Sequence, residues 1–187
     1  LTGDDVTGRM IHVWRQEPIH AACIVRPSST AEVATILRWC NETGQTVVPH
    51  GGLTGLVQGC NGSEADVVLS LERLNRIEEV DPIGRTMTVQ AGVPLEKLQQ
   101  EAEKVGLMFP MDLGARGSCQ IGGNVSTNAG GNRVIRFGMT RENVLGLEAV
   151  LADGTVVTSL NTMIKNNAGY DLKHLFIEVT TVPSAST

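Results

Sequence analysis

Two glycine-rich stretches are the parts of the chain best suited to binding a ligand. These stretches, 49–62 and 114–131, together with Gly138 just beyond the second, hold twelve of the chain's 21 glycines. Glycine lacks a Cβ atom and tolerates positive φ, so successive N–H groups can turn toward one oxyanion. Because the glycines are gathered at two places, the sequence predicts two loops that converge on one extended polar ligand.

The first stretch follows a predicted strand directly and has the sequence PHGGLTGL. Its candidate ligand-binding residues are His50, Gly51, Gly52, Leu53, Thr54, Gly55 and Leu56. Backbone N–H groups and a threonine hydroxyl suit a pyrophosphate. The spacing matches neither the G-x-G-x-x-G dinucleotide fingerprint nor the P-loop. A glycine cluster is equally typical of a flexible surface loop, so for this stretch alone both interpretations stay open.

The second stretch, LGARGSCQIGGNVSTNAGGN, is composed mostly of small and polar residues. Amides and hydroxyls can bind phosphate, ribose and the edge of a flavin without net charge. A disordered linker could share this composition. However, Ile121 and Val125 are four residues apart, as on a short buried helix, and this spacing favours an ordered segment.

The elements before the first stretch predict a small β-α-β unit. Residues 22–25 form an apolar strand pattern, and Ser29 with Glu32 makes a capping box at the start of a helix. Gly44 is the expected end of that helix. Residues 46–48 predict the next strand, and this spacing favours parallel strands.

The later elements predict antiparallel hairpins with inserted helices. Strands are predicted at 66–71, 76–80, 85–91, 144–151 and 155–160. Asp153-Gly154 is a strong hairpin turn. Pro94 opens a helix that Gly106 ends. The order predicts an α+β fold in one domain with a small β-α-β subdomain at about 22–62 and a larger, mainly antiparallel subdomain with helices at about 63–177.

The chain ends show little pattern. Residues 1–20 lack periodicity and are predicted to wrap a surface, while 178–187 have the composition of a frayed tail.

Composition excludes several classes of protein. The net charge of −5 argues against a large nucleic-acid footprint, which needs a basic surface. The four cysteines are widely spaced, so we expect no metal site and reduced thiols in a reducing compartment. No apolar run reaches the length of a membrane span, and no signal peptide is evident. We therefore expect a cytoplasmic protein, or a mitochondrial one if the organism is eukaryotic.

Five segments, in chain order, resemble the FAD-binding (PCMH-type) domain of the vanillyl-alcohol oxidase superfamily. They are PSSTAEVATIL, PHGGLTGLVQG, FPMDLGARGSCQIGGNVSTNAGG, VLGLEAVLADGTVV and NNAGYDLKHLFI. Within this superfamily they are most similar to D-2-hydroxyglutarate and D-lactate dehydrogenases and to a subunit of glycolate oxidase. The match runs from about residue 25 to 177, and the string LGARGSCQIGGNVSTNAGG is far more specific than a lone glycine pair.

The resemblance implies a two-subdomain fold with FAD extended between the subdomains. It implies that 50–56 wraps the pyrophosphate and that Val144 covers the adenine side. The residues it places along the ribityl chain, pyrophosphate and flavin are Gly114, Ser118, Gly122, Gly123, Asn124, Thr127, Asn128 and Gly130. Members that tether flavin covalently through the first loop have a histidine directly after its two glycines. That position here is Leu53, so we expect non-covalent FAD.

The resemblance also implies an FAD-dependent oxidoreductase. Its substrate would be a small D-2-hydroxy acid of the D-lactate, D-2-hydroxyglutarate or glycolate type, oxidised to the 2-oxo acid by hydride transfer to flavin. Electrons would pass to a quinone or a flavoprotein. A homodimer or a partner subunit is compatible with this chemistry.

The sequence departs from the family pattern after Ile177. Relatives continue with Gly-Ser-Glu-Gly-Thr and a cap domain that binds substrate, whereas this chain continues EVTTVPSAST. We therefore expect an incomplete fragment or truncated product and assign no catalytic residue. Two alternatives stay open: an FAD-binding fragment or subunit without its own activity, and a sugar or alcohol oxidase of the same superfamily.

Other chemistry-bearing side chains have plainer interpretations. Scattered histidines are expected to be structural, except His50 in the first loop. One arginine near the second stretch could pair with a phosphate, although exposure to solvent explains each of them equally well. Asp112 is expected to fix a turn.

Overall fold

The computed structural model describes residues 1–12, 14–56 and 58–177, and for Arg15 and Gln16 the backbone alone. The predicted tail, 178–187, lies outside the described residues. The chain divides into two compact units, the first formed by Leu1–Leu74 with Val150–Val156 and the second by Asn75–Ala149 with 157–177.

The first unit is built on a three-stranded parallel sheet. Its strands are β3 (Cys23–Val25), β4 (Val47–His50) and β5 (Val67–Ser70), in the order β3-β5-β4. All four residues of β5 are buried, as expected for the central strand of a parallel sheet. The predicted parallel arrangement is therefore present. Because β5 belongs to this sheet, the first unit extends to Leu74.

Helix α2 (Thr30–Thr43) connects β3 to β4. The Ser29 hydroxyl accepts a hydrogen bond from the Glu32 N–H at 3.2 Å, as the capping box predicts. The Glu32 carboxylate reaches back to the N–H of Ser28 rather than to that of Ser29. Gly44 ends the helix in the left-handed conformation, with φ 69°.

The opening segment, for which the sequence predicted a surface position and showed little periodicity, contains short regular elements. It forms α1 (Asp4–Thr7) and the antiparallel pair β1 (Met10–His12) and β2 (Arg15–Pro18). Three of its apolar side chains are buried with β3 and β5 residues, namely Val6, Ile11 and Ile19. The pattern was missed because the elements are too short to show a period.

The second unit contains short strands and helices. Its helices are α3 (Leu95–Lys104), α4 (Ile121–Ser126) and α5 (Val134–Phe137). Strands β6 (Ile77–Asp81) and β7 (Thr86–Val89) pair antiparallel, as predicted. Strands β8 (Leu147–Val150) and β9 (Val156–Ser159) form a separate two-stranded sheet, whose residues Val150 and Val156 are counted with the first unit. The α+β class is confirmed, but these strands form two pairs within the described residues rather than one larger sheet.

The core of the second unit holds the second glycine-rich stretch in place. Ile121 and Val125 of α4 pack with Leu95 and Leu98 of α3, so the predicted short buried helix is confirmed. Burying side chains of this size stabilises the fold by about 1.5–3 kcal/mol each. Where the structure describes the chain, none of its helices combines the length and apolar character needed to cross a bilayer.

Candidate functional site

The first candidate segment, 50–56, leaves the carboxyl end of β4 in the first unit. Leu53 has a positive φ of 55° and packs against the core around Ile24 and Val68, which anchors the loop. The Thr54 carbonyl accepts a hydrogen bond from the Trp14 indole at 3.2 Å. Gly55 and Leu56 are exposed. The segment is therefore anchored at its beginning and open toward its end.

His50 is the buried side chain of this segment, with 3% of its surface exposed. Its Nε2 lies 2.8 Å from the Cys60 carbonyl oxygen, so Nε2–H donates to that oxygen. Burial lowers the pKa of His50; the Cys60 hydrogen bond opposes this change, and nearby His12 adds to it. The ring is neutral at pH 7 and contributes hydrogen bonds rather than charge.

Charged side chains lie close to this segment. Glu72, just beyond β5, pairs with Arg9 at 2.9 Å and with Arg26 at 3.0 Å. Burial alone would raise the pKa of Glu72, but hydrogen bonds from the two guanidinium groups outweigh burial and lower it. Glu72 is therefore ionised at neutral pH, within a cluster that sequence analysis missed.

The second candidate segment, 114–131, is docked closely on its own unit. The N–H of Gly122 donates to the Ala91 carbonyl at 2.7 Å, and a Cβ atom at position 122 would lie 2.7 Å from the Ala91 side chain. Gly131 lies against the Asp112 backbone with no room for a Cβ atom. At these two positions glycine serves close packing of the chain upon itself.

Several predicted ligand-binding groups of this segment already have partners within the unit. The Thr127 hydroxyl donates to the Gly123 carbonyl at 3.0 Å. The Asn128 side-chain oxygen accepts from the Arg141 N–H at 2.9 Å, and Asn128 has φ 45°. Gly130 lies against Met139, and Val144 packs on the hydrophobic core. These residues shape the segment, and their polar side chains hold its backbone.

Other predicted residues form an open surface. Gly114 and Gly123 have nothing within 4 Å of the position that a Cβ atom would take, and Ser118 is exposed. Backbone without a covering side chain allows close approach of a polar ligand, and an exposed hydroxyl can donate or accept a hydrogen bond. The ligand-binding role of these three residues stays a prediction.

Asn124 carries an unpartnered polar atom. The residue is only 6% exposed, its side chain bonds the Cys119 thiol, and its Oδ1 has no hydrogen-bond partner among the described residues. The side-chain oxygen Oε1 of Gln120, four residues earlier, is likewise buried without a hydrogen-bond partner among the described residues. Buried acceptors are normally satisfied, so this turn has unused capacity for hydrogen-bond donors. Ribityl hydroxyls and flavin N–H are donors of this kind, and the residues present fit FAD.

The comparisons with known proteins agree with this geometry. Residues 21–159 match the family described as "FAD binding domain". The chain therefore belongs to this family of FAD-binding domains, and its cofactor is FAD.

Two relatives are D-2-hydroxyglutarate dehydrogenases. The protein from Xanthomonas citri pv. viticola is 48% identical over 164 residues, which cover 88% of this chain and 34% of the relative. The mitochondrial protein from Bos taurus is 50% identical over 154 residues, covering 82% of this chain and 28% of the relative. This chain thus spans about a third of the length of the curated relatives it matches.

A solved structure of alkyldihydroxyacetonephosphate synthase has the same fold. It aligns with a TM-score of 0.72 at 22% identity, covering 84% of this chain and 30% of that protein. This similarity confirms the predicted fold.

Proposed function

We propose that this chain binds one FAD through both glycine-rich segments. The observation that carries the proposal is the open backbone at Gly114 and Gly123 in a chain of the FAD-binding family. Asn124, which follows Gly123 directly, has a buried side-chain oxygen without a hydrogen-bond partner among the described residues. The segment 50–56 would hold the pyrophosphate through its N–H groups and Thr54. The predicted residues of 114–130 would contact the ribityl chain and the flavin, and Val144 would support the adenine side.

We propose non-covalent attachment of FAD. Leu53 takes the position where a tethering histidine would stand, and its side chain packs into the apolar core. The His50 ring is buried and bonded to the Cys60 carbonyl. Acid precipitation of the loaded protein should release all of the flavin into the supernatant. Flavin retained in the precipitate would contradict non-covalent binding.

The reaction that best suits the relatives is oxidation of a D-2-hydroxy acid to its 2-oxo acid. The Xanthomonas and bovine relatives are both named D-2-hydroxyglutarate dehydrogenase, and D-lactate and glycolate are chemically similar substrates. Bound FAD would accept the hydride, and a quinone or a flavoprotein would then take the electrons. In this chain, the two segments would bind and orient the cofactor.

An anaerobic assay tests the activity. The FAD-loaded chain is mixed with D-2-hydroxyglutarate, D-lactate or glycolate, and flavin absorbance is followed. Bleaching by the D isomer and not by the L isomer of the first two acids supports the dehydrogenase. Binding of FAD without bleaching by any of the acids contradicts turnover by this chain and favours an FAD-binding fragment or subunit.

We propose a reducing compartment, the cytoplasm or the mitochondrion. Cys23, Cys40, Cys60 and Cys119 are free thiols, and the bovine relative is named mitochondrial. Fractionation of cells that express the tagged chain tests this location, and recovery in the secreted fraction would contradict it.

A further inference from the structure

A cavity of about 240 Å³ lies beside the first glycine-rich segment, entirely within the first unit. Its apolar wall includes Ile19 and Ile24, and its polar wall includes Arg9, His50, Ser70 and Glu72. Gly51 and Leu53 also line it, so the cavity opens on the backbone that is proposed to hold the pyrophosphate.

One ion cluster supplies the charge in this cavity. Glu72 engages Arg9 through both carboxylate oxygens, at 2.9 and 3.3 Å, and it engages Arg26 at 3.0 Å. Among the described residues, Arg9 and Arg26 contribute two positive charges to this cluster and Glu72 contributes one negative charge. Arg9 lines the cavity, whereas Arg26 does not.

Arg9 retains capacity for a second acceptor. A guanidinium has five N–H donors, and the two hydrogen bonds to Glu72 use two of them. Glu72 therefore fixes the orientation of Arg9 without using all of its donors, which is the arrangement that suits bidentate recognition of a phosphate. His50 does not supply this charge, because burial lowers its pKa and keeps the ring neutral at pH 7.

We propose that Arg9, held in place by Glu72, is the positively charged group that binds the diphosphate of FAD beside segment 50–56. This inference rests on the proposed FAD site. It adds a residue that lies before the family-matched region, 21–159, and that the sequence pattern did not single out. The hydroxyl of Ser70, on the same cavity wall, is a second donor for the same phosphate oxygens.

Paired arginine variants of the full chain test the proposal. Arg9→Met removes the guanidinium that lines the cavity. Arg26→Met is the matched control, because it removes an ion pair with the same carboxylate from outside the cavity. Arg9→Lys keeps the positive charge but loses the planar guanidinium group, which can donate two parallel N–H hydrogen bonds. Each protein is titrated with FAD and with ADP, which carries the diphosphate but no flavin, at several salt concentrations.

We expect Arg9→Met to weaken the binding of both FAD and ADP about tenfold or more. This is the loss of affinity typical of removing a hydrogen bond to a charged group. Binding should also become less dependent on salt. Arg9→Lys should recover part of the affinity, and Arg26→Met should stay within about twofold of the parent chain. Thermal unfolding of the three variants identifies any that fails to fold. If Arg9→Met does not fold, the FAD affinity of Arg9→Lys is compared with that of the parent chain instead.

The outcomes separate the two proposals. If the parent chain binds FAD and the Arg9 and Arg26 variants lose affinity equally, Arg9 has only a structural role and this inference fails. The same conclusion follows if Arg9→Met leaves the salt dependence of FAD binding unchanged. If the parent chain does not bind FAD, the proposed function fails, and this inference fails with it.

Discussion

The two glycine-rich segments are held in place by different contacts. In 114–131, Gly122 and Gly131 bring the chain into close contact with its own backbone, and the side chains of Thr127 and Asn128 hold the segment. In 50–56, the loop follows the end of β4 and lies beside a cavity with a charged cluster. The second segment is shaped by close packing on its own backbone, whereas the first begins at the buried His50 and is anchored by Leu53 in the apolar core.

This difference shows that a glycine count does not identify ligand contacts. Gly122 and Gly123 are adjacent, yet one has no room for a Cβ atom and the other has nothing within 4 Å of that position. Of the two, Gly123 alone has open space at the position of a Cβ atom. Variants that separate packing from binding therefore test the comparison most sharply.

The largest effect is expected for Gly122→Ala. Its Cβ atom would lie 2.7 Å from the Ala91 side chain and 2.9 Å from the Ala91 carbonyl. Overpacking of this kind costs about 1–3 kcal/mol of unfolding free energy. Urea denaturation measures the loss, and Gly123→Ala is the neighbouring control. Equal stability of the two variants would show that Gly122 is not a packing glycine.

Gly123→Ala should affect binding instead of folding. Alanine in a helix is more favourable than glycine by about 0.5–1 kcal/mol, so stability should be unchanged or slightly higher. If FAD approaches this backbone, the added methyl group should weaken FAD about tenfold, which corresponds to about 1.4 kcal/mol. Fluorescence titration measures the dissociation constant. Unchanged affinity would remove Gly123 from the site.

Ser29→Ala tests the stability of the first unit at a position outside segment 50–56. Loss of the hydrogen bond from the Glu32 N–H should cost about 1 kcal/mol of unfolding free energy. FAD affinity should not change, because the cap belongs to α2 and not to either glycine-rich segment. Chemical denaturation and FAD titration are measured on the same sample. Weaker FAD binding would mean that segment 50–56 depends on the whole unit.

The smallest effect concerns the pH dependence of stability. The pKa of His50 is lowered in the folded chain from an ordinary value of 6.5. Its contribution to stability is complete above pH 6.5 and is lost as the pH falls below that value, because the unfolded chain then binds a proton that the folded chain resists. His50→Gln should make the melting temperature less dependent on pH in this range.

If the melting temperature of His50→Gln depends on pH in the same way as that of the parent chain, His50 is not the titrating group.

Local patterns predicted the elements of the fold well. The cap at Ser29, the end of α2 at Gly44, the β6–β7 hairpin and the buried turn at Ile121 and Val125 each depend on residues within a few positions of one another. The central position of β5 was not predictable in this way, because strand order depends on contacts between distant parts of the chain.

The site was predicted only in part for the same reason. The glycine-rich segments are continuous in sequence, so their composition reveals them. Arg9 and Glu72 are 63 residues apart and form no local pattern, and Arg9 lies in a segment whose elements are too short to show a period. The distinction between Gly122 and Gly123 likewise depends on Ala91, which only the folded chain brings near.

Calorimetric titration of the purified chain with FAD is the decisive measurement for FAD binding. We expect saturable binding of one FAD per chain, together with a melting temperature that rises with FAD concentration by mass action. Absence of both heat and thermal shift at high FAD concentration would contradict it. So would a stoichiometry of two, because the two segments would then be separate sites.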